Sequence, residues 1–504
     1  MSQAIRCTNI TKRFGSVVAN DKVNFEVKFG EVMALLGENG SGKTTLMNML
    51  SGIYHPDEGS IEICGKHVTI SSPNDSIELG IGMIHQHFKL VEVMTAFENI
   101  LLGIKPKKGA TLKQLKQDAI DLCKQYELDI ELDKKIYDMS VSEKQTVEVL
   151  KVLYRGAKIL ILDEPTAVLT PQEIKSLFNI LRTMKKENCA VVIITHKLNE
   201  VMEISDRVAI LRKGQCIETV ITKDVNEKIL TELMVGRPIN LAITRPEINQ
   251  EHLKSIMQIK NLTVNKSDGT KGLDNISFDV NAGEILGIAG IAGSGQKELT
   301  ESILGLIPVQ QGEIIYEGTN LAGKDTSEIY QMGVSLAFVP EDRLGMGLVA
   351  SMGMVENMML KTYNDNSGFF VDKAPSEQLA KDLKDKLEIK TPSIDTPVRL
   401  LSGGNVQKVL LGREIEASPK VLITAYPVRG LDINSSYTIY DLLNEQKEKG
   451  CAVIFVGEDL DVLLQLADRI LVLCHGEITG IVDASQVSKE QVGLLMAGHI
   501  EEAV

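Results

Sequence analysis

Short, unbroken apolar runs punctuate this chain. Val32-Met33-Ala34-Leu35-Leu36, Ile159-Leu160-Ile161-Leu162 and Val191-Val192-Ile193-Ile194 lie in the first half. Val421-Leu422-Ile423-Thr424 and Val453-Ile454-Phe455-Val456 lie in the second. Such runs, rich in β-branched residues and without polar alternation, predict strands covered on both faces, as in a parallel sheet. Between them the period changes. Thr45-Leu46-Met47-Asn48-Met49-Leu50 has helical spacing and no breaker, and Leu112, Leu115, Ala119, Leu122 and Tyr126 keep one apolar face of a helix. Thr8–Val27 and Ile61–Val68 are β-rich. The pattern predicts an α/β domain with a β-rich part and a helical insertion.

The pattern occurs twice. Gly283-Glu284 lies 253 positions after Gly30-Glu31, and Gly290 lies 253 after Gly37. Gly52 pairs with Gly305 and Gly59 with Gly312 at the same offset. Later the offset grows to 262, pairing Ser140 with Ser402 and Asp206-Arg207 with Asp468-Arg469, so the second copy carries about nine extra residues in its middle. The expected domains are 1–236 and 256–504. Residues 237–255, with Pro238 and Pro246, read as a linker.

Between the first strand and its helix stands Gly37-Glu38-Asn39-Gly40-Ser41-Gly42-Lys43-Thr44, with Thr45 following. Strand, glycine-rich loop and helix form the context of a P-loop. Glycines let backbone N–H groups turn inward onto phosphate oxygens, and the helix N-terminus adds positive partial charge. Lys43 is expected to reach the β- and γ-phosphates, and Thr44 to ligate Mg²⁺. The strand Ile159–Leu162 ends in Asp163-Glu164. Asp163 suits the metal shell, and Glu164 suits polarisation of an attacking water. Gln86, in the loop Ile84-His85-Gln86-His87, is placed to see γ-phosphate and metal. His196 ends the run Val191–Thr195 and is placed to hydrogen-bond the γ-phosphate. Phe14, in Lys12-Arg13-Phe14-Gly15, reads as an adenine-stacking ring or as a core aromatic.

Bulk properties narrow the setting. Net charge is −14 with no basic run, which argues against nucleic acid as a partner. Trp is absent and aromatics make up 4%, so stacking platforms for single strands are not expected. Seven scattered cysteines form no C-x-x-C pair, which fits free thiols in a reducing compartment. The N-terminus lacks the layout of a signal peptide, and no apolar run has the length of a bilayer span. Action at a membrane would therefore go through other subunits.

The ordered set of P-loop, Gln86, Met139-Ser140-Val141-Ser142-Glu143, Asp163-Glu164 and His196 resembles that of an ABC ATPase. With Leu401-Ser402-Gly403-Gly404-Asn405 in the second copy, essentially the whole chain resembles the tandem ATP-binding subunits of bacterial ABC importers for sugars and nucleosides. Gly493-Leu494-Leu495-Met496-Ala497-Gly498 and Ala425-Tyr426-Pro427 look most like the nucleoside-uptake branch. The resemblance implies an α/β fold of two P-loop ABC-type ATPase domains in tandem. It implies ATP and Mg²⁺ as cofactors and ATP hydrolysis coupled to transport. It also implies two polytopic membrane permease subunits, an extracellular substrate-binding lipoprotein, and a peripheral place on the cytoplasmic face of the membrane. Phe88–Leu102, with Met94, Phe97 and Ile100, is a candidate docking surface or part of the helical core. The alternative is a soluble tandem ABC ATPase acting on ribosomes or DNA. The short linker, the acidic chain and the lack of Cys₄ modules disfavour it. A non-hydrolysing scaffold is disfavoured by Glu164.

ABC domains pair head to tail, each ATP lying between one domain's P-loop side and the other's signature side. Against that pattern the two copies depart in opposite ways. The second P-loop has Gln296 and Lys297 where Lys43 and Thr44 stand, and Ala425-Tyr426 replace Asp163-Glu164. Glu458 stands opposite His196, Glu341 stands near the place of Gln86, and no aromatic matches Phe14. Glu458 is expected to repel a γ-phosphate. The signature side is intact in the second copy, in Ser402, Gly403, Gly404 and Asn405, with Gly430-Leu431-Asp432 after the strand. In the first copy Ser142 replaces Gly404 and Thr170 replaces Asp432. The expectation is one complete composite ATPase site and one poor one.

Overall fold

The computed structural model describes residues 2–15, 17–85, 88–104, 111–166, 169–195, 197–236, 243–246, 254–266, 268–332, 334–361 and 372–500. It divides into two compact units, Met1–Asn240 and Leu241–Val504.

The first unit has two sheets. A four-stranded antiparallel sheet joins Val17–Lys28, Gln3–Phe14, Glu58–Ile63 and Lys66–Val68, in that order. A six-stranded sheet runs Gln215–Ile221, Arg207–Arg212, Val32–Leu36, Ala190–Ile194, Ile159–Asp163, Ile81–Ile84. All its pairings are parallel except the edge hairpin of Arg207–Arg212 with Gln215–Ile221. The apolar runs are its central strands. Val32–Leu36 and Ala190–Ile194 are buried at every position, which is why they lack polar alternation. One core fills the space between the two sheets, with Ile5, Phe25 and Ile61 meeting Met33, Leu35, Leu46 and Leu50. Burying side chains of this size stabilises by about 1.5–3 kcal/mol each.

The helical insertion includes Leu112–Gln125 and Val141–Tyr154. Leu115, Ala119 and Tyr126 are buried as the spacing predicts. Leu112 is 70% exposed, because it opens the helix just after the Thr111 cap, beyond the packed face.

The second unit repeats this plan strand for strand. Its antiparallel sheet joins Lys271–Asn281, Ser255–Asn265, Gln311–Tyr316 and Thr319–Asn320. Its six-stranded sheet runs Glu477–Asp483, Arg469–Cys474, Ile285–Gly290, Ala452–Val456, Val421–Ala425, Leu336–Val339. Part of the expected linker is strapped to this unit. Asn444 Nδ2 donates to Thr244 O (3.1 Å), Lys447 Nζ donates to Pro246 O (2.6 Å), and Ile243 packs on the core. No helix among the described residues is long and apolar enough to cross a membrane.

Candidate nucleotide site

Parallel strands end together, so residues that follow them converge on one edge of the sheet. In the first unit, Val32–Leu36, Ala190–Ile194 and Ile159–Asp163 are adjacent, with Asp163 paired in register to Ile194. Their ends deliver the loop Gly37–Gly42 and the pair Asp163-Glu164 to that edge. Gln86 and His196, the other two expected catalytic positions, lie outside the described residues.

The loop requires its glycines. A Cβ on Gly42 would stand 2.3 Å from Ala19 O and 2.7 Å from Asn20 Nδ2, and Gly42 holds φ at 100°. The helix Lys43–Leu50 follows with no side-chain cap and no acidic residue in its first turn, so its leading N–H groups are open to an anion. Lys43 is buried and folds back over the loop, its Nζ donating to Gly37 O (2.7 Å) and Glu38 O (3.1 Å). Ser41 Oγ is buried and has no hydrogen-bond partner among the described residues. An orphaned hydroxyl, uncapped amides and a lysine in a glycine cradle fit a polyphosphate.

Electrostatics tie the parts together. Burial lowers the Lys43 amine from its usual range, while Glu164, Asp163 and Glu38 pull it back up. Burial raises the Asp163 carboxyl, the neighbouring Glu164 charge adds to this, and His85 and Lys43 oppose it. A divalent cation would relieve that strain, and Asp163 with Thr44 supplies hard oxygen donors for Mg²⁺. Glu164 holds a left-handed backbone with φ of 46°, while its N–H donates to Ile194 O at 2.8 Å. Strain of this kind persists where the surroundings over-determine it. Phe14 is 43% exposed and meets Tyr54 edge-on at 5.2 Å, with Lys12 Nζ 5.6 Å from its ring centre. It is no core aromatic. Tyr54, 40 residues further along, was not visible in the motif alone, and nothing in the motif said that Lys12 faces the ring.

The second unit keeps the backbone and loses the charge. Gly295 has φ of 113°, and a Cβ there would stand 2.7 Å from Gly272 O. Gln296 is buried where Lys43 stands, and its Nε2 donates to Ile291 O at 3.1 Å, the counterpart of the Lys43 bond to Glu38 O. Lys297 points outward, its side chain 76% exposed and 3.8 Å from Glu301. Glu298 places a carboxylate in the first turn of the helix Gln296–Ile303. Tyr426 repeats the left-handed turn of Glu164 with φ of 49°, its N–H on Val456 O at 2.9 Å. Burial, with Glu458 and Glu341 nearby, pushes its phenol up to about 12. Glu458 does not stand as the free repelling charge expected from sequence. Its carboxylate lies 3.0 Å from Arg429 Nε, and Arg429 also pairs with Glu341.

The signature helices show the reverse contrast. In the first unit, Ser140 Oγ accepts from Glu143 N (3.2 Å) and Glu143 reaches back to Ser140 N (2.7 Å), closing a capping box. Burial works against the Glu143 charge, but hydrogen bonds from Lys134 and Ser140 hold its carboxyl below the usual range. In the second unit Asn405 replaces Glu143, and the helix Gly403–Glu416 has neither a side-chain cap nor an acidic residue in its first turn. Asn405 Nδ2 donates to Ser402 Oγ at 2.8 Å, which leaves the serine proton available to an acceptor. Gly404 is closely packed. A Cβ there would lie 2.7 Å from Ser435 Oγ.

Two α/β units of one plan, one of them with an open and cationic phosphate loop, define a tandem P-loop nucleotide-binding protein. The ABC transporter family profile matches residues 20–167 and 273–427, once in each unit. The chain belongs to the ABC transporter family, as an ATPase. It is 42% identical over 499 residues to the nucleoside import ATP-binding protein NupA of Lactococcus lactis subsp. cremoris, covering 98% of each chain. It is 41% identical to the guanosine import ATP-binding protein NupO of Bacillus subtilis, over 100% of this chain and 99% of that one. It is 37% identical to the ribose import ATP-binding protein RbsA of Corynebacterium glutamicum, over 99% and 94%.

Proposed function

We propose that this chain is the ATP-hydrolysing subunit of an importer for nucleosides, and that one ATP is served by the P-loop of the first unit and the signature of the second. One observation carries the site assignment. Of the four helix N-termini, those after Gly42 and Ser402 are uncapped by side chains and free of acid, and those at Ser140 and Gly295 carry Glu143 and Glu298 in their first turns. Decay of one whole unit would not sort the losses this way. The greater identity to nucleoside importers than to the ribose importer supports the substrate class.

In this reading Gly37, Asn39, Gly40, Ser41, Gly42 and Lys43 hold the phosphates, Thr45 follows in the helix, and Phe14 stacks on adenine. Thr44 and Asp163, with Gln86, hold Mg²⁺, which when bound neutralises charge developing on the phosphate oxygens. Glu164 polarises the attacking water, and His196 steadies the γ-phosphate. Ser402, Gly403, Gly404 and Asn405 close on the phosphate from the signature side. Each donor stabilises charge that grows in the transition state, where such interactions act most strongly. Closure and release form a two-state element able to drive permease subunits.

Two membrane permease subunits and an extracellular substrate-binding protein complete the assembly, with this chain on the cytoplasmic face. Within the candidate docking segment Ile100 is fully buried and takes the core reading, and the apolar side chains exposed near it are Val91, Val93 and Leu102. Co-purification with permease subunits tests the reading. ATPase activity stimulated by nucleosides is expected, and stimulation by ribose alone would replace the substrate class.

A further inference from the structure

The second unit has lost its catalytic chemistry, yet its worn nucleotide face is not empty of charge. Three replacements converge there. Arg429 Nη1 pairs with Glu341 Oε1, and Arg429 Nε lies 3.0 Å from Glu458 Oε1. The guanidinium also sits 5.8 Å from the ring centre of Tyr426. One arginine therefore gathers the residues at the places of Gln86, His196 and Glu164. A planar fork with five donors suits such bridging, and a lysine does not replace it.

The same arginine begins the turn that leads to the signature side. Arg429 N donates to Tyr426 O (3.1 Å), and Leu431 N donates to Val428 O (3.1 Å). Gly430 follows Arg429 with φ of 70°, and Asp432 then caps the next helix through Ser435 N (2.9 Å) and Ser435 Oγ (2.8 Å). Ser435 Oγ is the atom that abuts Gly404. A second arginine ties the turn from the other side. Arg343 Nη2 donates to Arg429 O, and its Nη1 stands 3.4 Å from where a Cβ on Gly403 would be. The chain of contacts runs from Glu341 and Glu458, through Arg429 and Arg343, to Gly403 and Gly404.

We infer that Arg429, seconded by Arg343, is a positioning residue for ATP hydrolysis: the second unit's disused nucleotide face has been rebuilt as a salt-bridged brace that holds its own signature loop in place. This rests on the reading that the second unit's signature serves the ATP. The pairs are half exposed, with side-chain exposures of 48% for Arg429, 49% for Glu341 and 41% for Glu458. Ion pairs so placed add little to stability. What they fix is direction, and small displacements of groups that contact a reacting centre cost rate steeply. The brace also accounts for the carboxylates at 341 and 458, which have no use toward a phosphate.

The test uses the full-length chain, with steady-state ATPase kinetics and thermal melting of Arg429→Ala, Arg429→Lys and Glu341→Gln/Glu458→Gln. Arg429→Ala should lower kcat roughly tenfold to a hundredfold, with KM changed by no more than about twofold. Arg429→Lys should fall between, since an ammonium can keep one pair and not both. The double carboxamide variant should reproduce the loss, and adding Arg429→Ala to it should cost little more. Melting should shift by no more than about two degrees in each. Ser402→Ala is the control for the underlying reading. If Ser402→Ala is strongly impaired and Arg429→Ala keeps wild-type kcat, the brace is wrong and the site assignment stands. If Ser402→Ala is itself silent, both fall. A kcat loss matched by a large drop in melting temperature makes Arg429 structural and overturns the positioning role.

Discussion

The phosphate loops of the two units share one backbone and differ in charge. Gly42 and Gly295 hold the same positive φ, each against a carbonyl that would meet any Cβ, from Ala19 in one unit and Gly272 in the other. Lys43 and Gln296 make the same inward bond to the loop. Both helix N-termini lack a side-chain cap, yet one loop offers a cation and the other a neutral amide and Glu298. Packing against the neighbouring strand therefore preserves the loop's shape, with or without chemistry to perform. In the proposed reading, the charge at the helix N-terminus is what separates the loop that serves ATP from the one that does not. The signature helices repeat the comparison with the units exchanged, Glu143 against Asn405.

The largest test of that comparison makes the first loop into the second. Lys43→Gln keeps the inward bond to Glu38 O and removes the charge. Steady-state ATPase should fall on the order of 10²–10³-fold, the scale of losing one strong donor to a transition state. The reciprocal Gln296→Lys should leave hydrolysis within about twofold, because Ala425 and Tyr426 still supply no metal carboxylate or base. Wild-type turnover by Lys43→Gln would break the claim that charge, not shape, decides.

The next exchange is at the signature helices. Asn405→Glu installs the first unit's acid beside Ser402, where it can close a capping box and place a negative charge at the open helix end. ATPase should drop at least about tenfold, as expected for like charge brought near a phosphate. Phe14→Ala comes after it. The exposed ring offers stacking worth about 0.5–1.5 kcal/mol, so KM for ATP should rise roughly twofold to tenfold with kcat little changed. A matching rise in KM for GTP would show that the ring sorts no bases.

Much of this was legible without coordinates. The strands were readable because they are buried on both faces, and the repeat because its glycines are fixed by close backbone approach, as at Gly42 and Gly295. The hidden features are those in which partners lie far apart in sequence or in which one motif has two meanings. Arg429 finds Glu341 and Glu458 from opposite directions along the chain. Ser140-Val141-Ser142-Glu143 reads as a worn signature, but the same letters spell a capping box, and the structure uses them as one. Ile100 could be docking surface or core on sequence alone, because helical spacing does not say which face is covered, and it is buried.

That double meaning yields the smallest and sharpest test, on two serines at matching positions. Ser140 Oγ accepts a backbone N–H of its own helix, whereas Ser402 Oγ accepts, among the described residues, the side-chain amide of Asn405. Removing a serine cap costs about 1 kcal/mol. Ser140→Ala should therefore lower the urea midpoint of the first unit's unfolding while leaving ATPase unchanged. Ser402→Ala should do the opposite, leaving the midpoint within error and lowering turnover. The hydroxyl at 140 is committed to the fold, and the proposed function assigns the one at 402 to a ligand. Equal losses of activity from the two substitutions would erase the asymmetry on which the single-site reading stands.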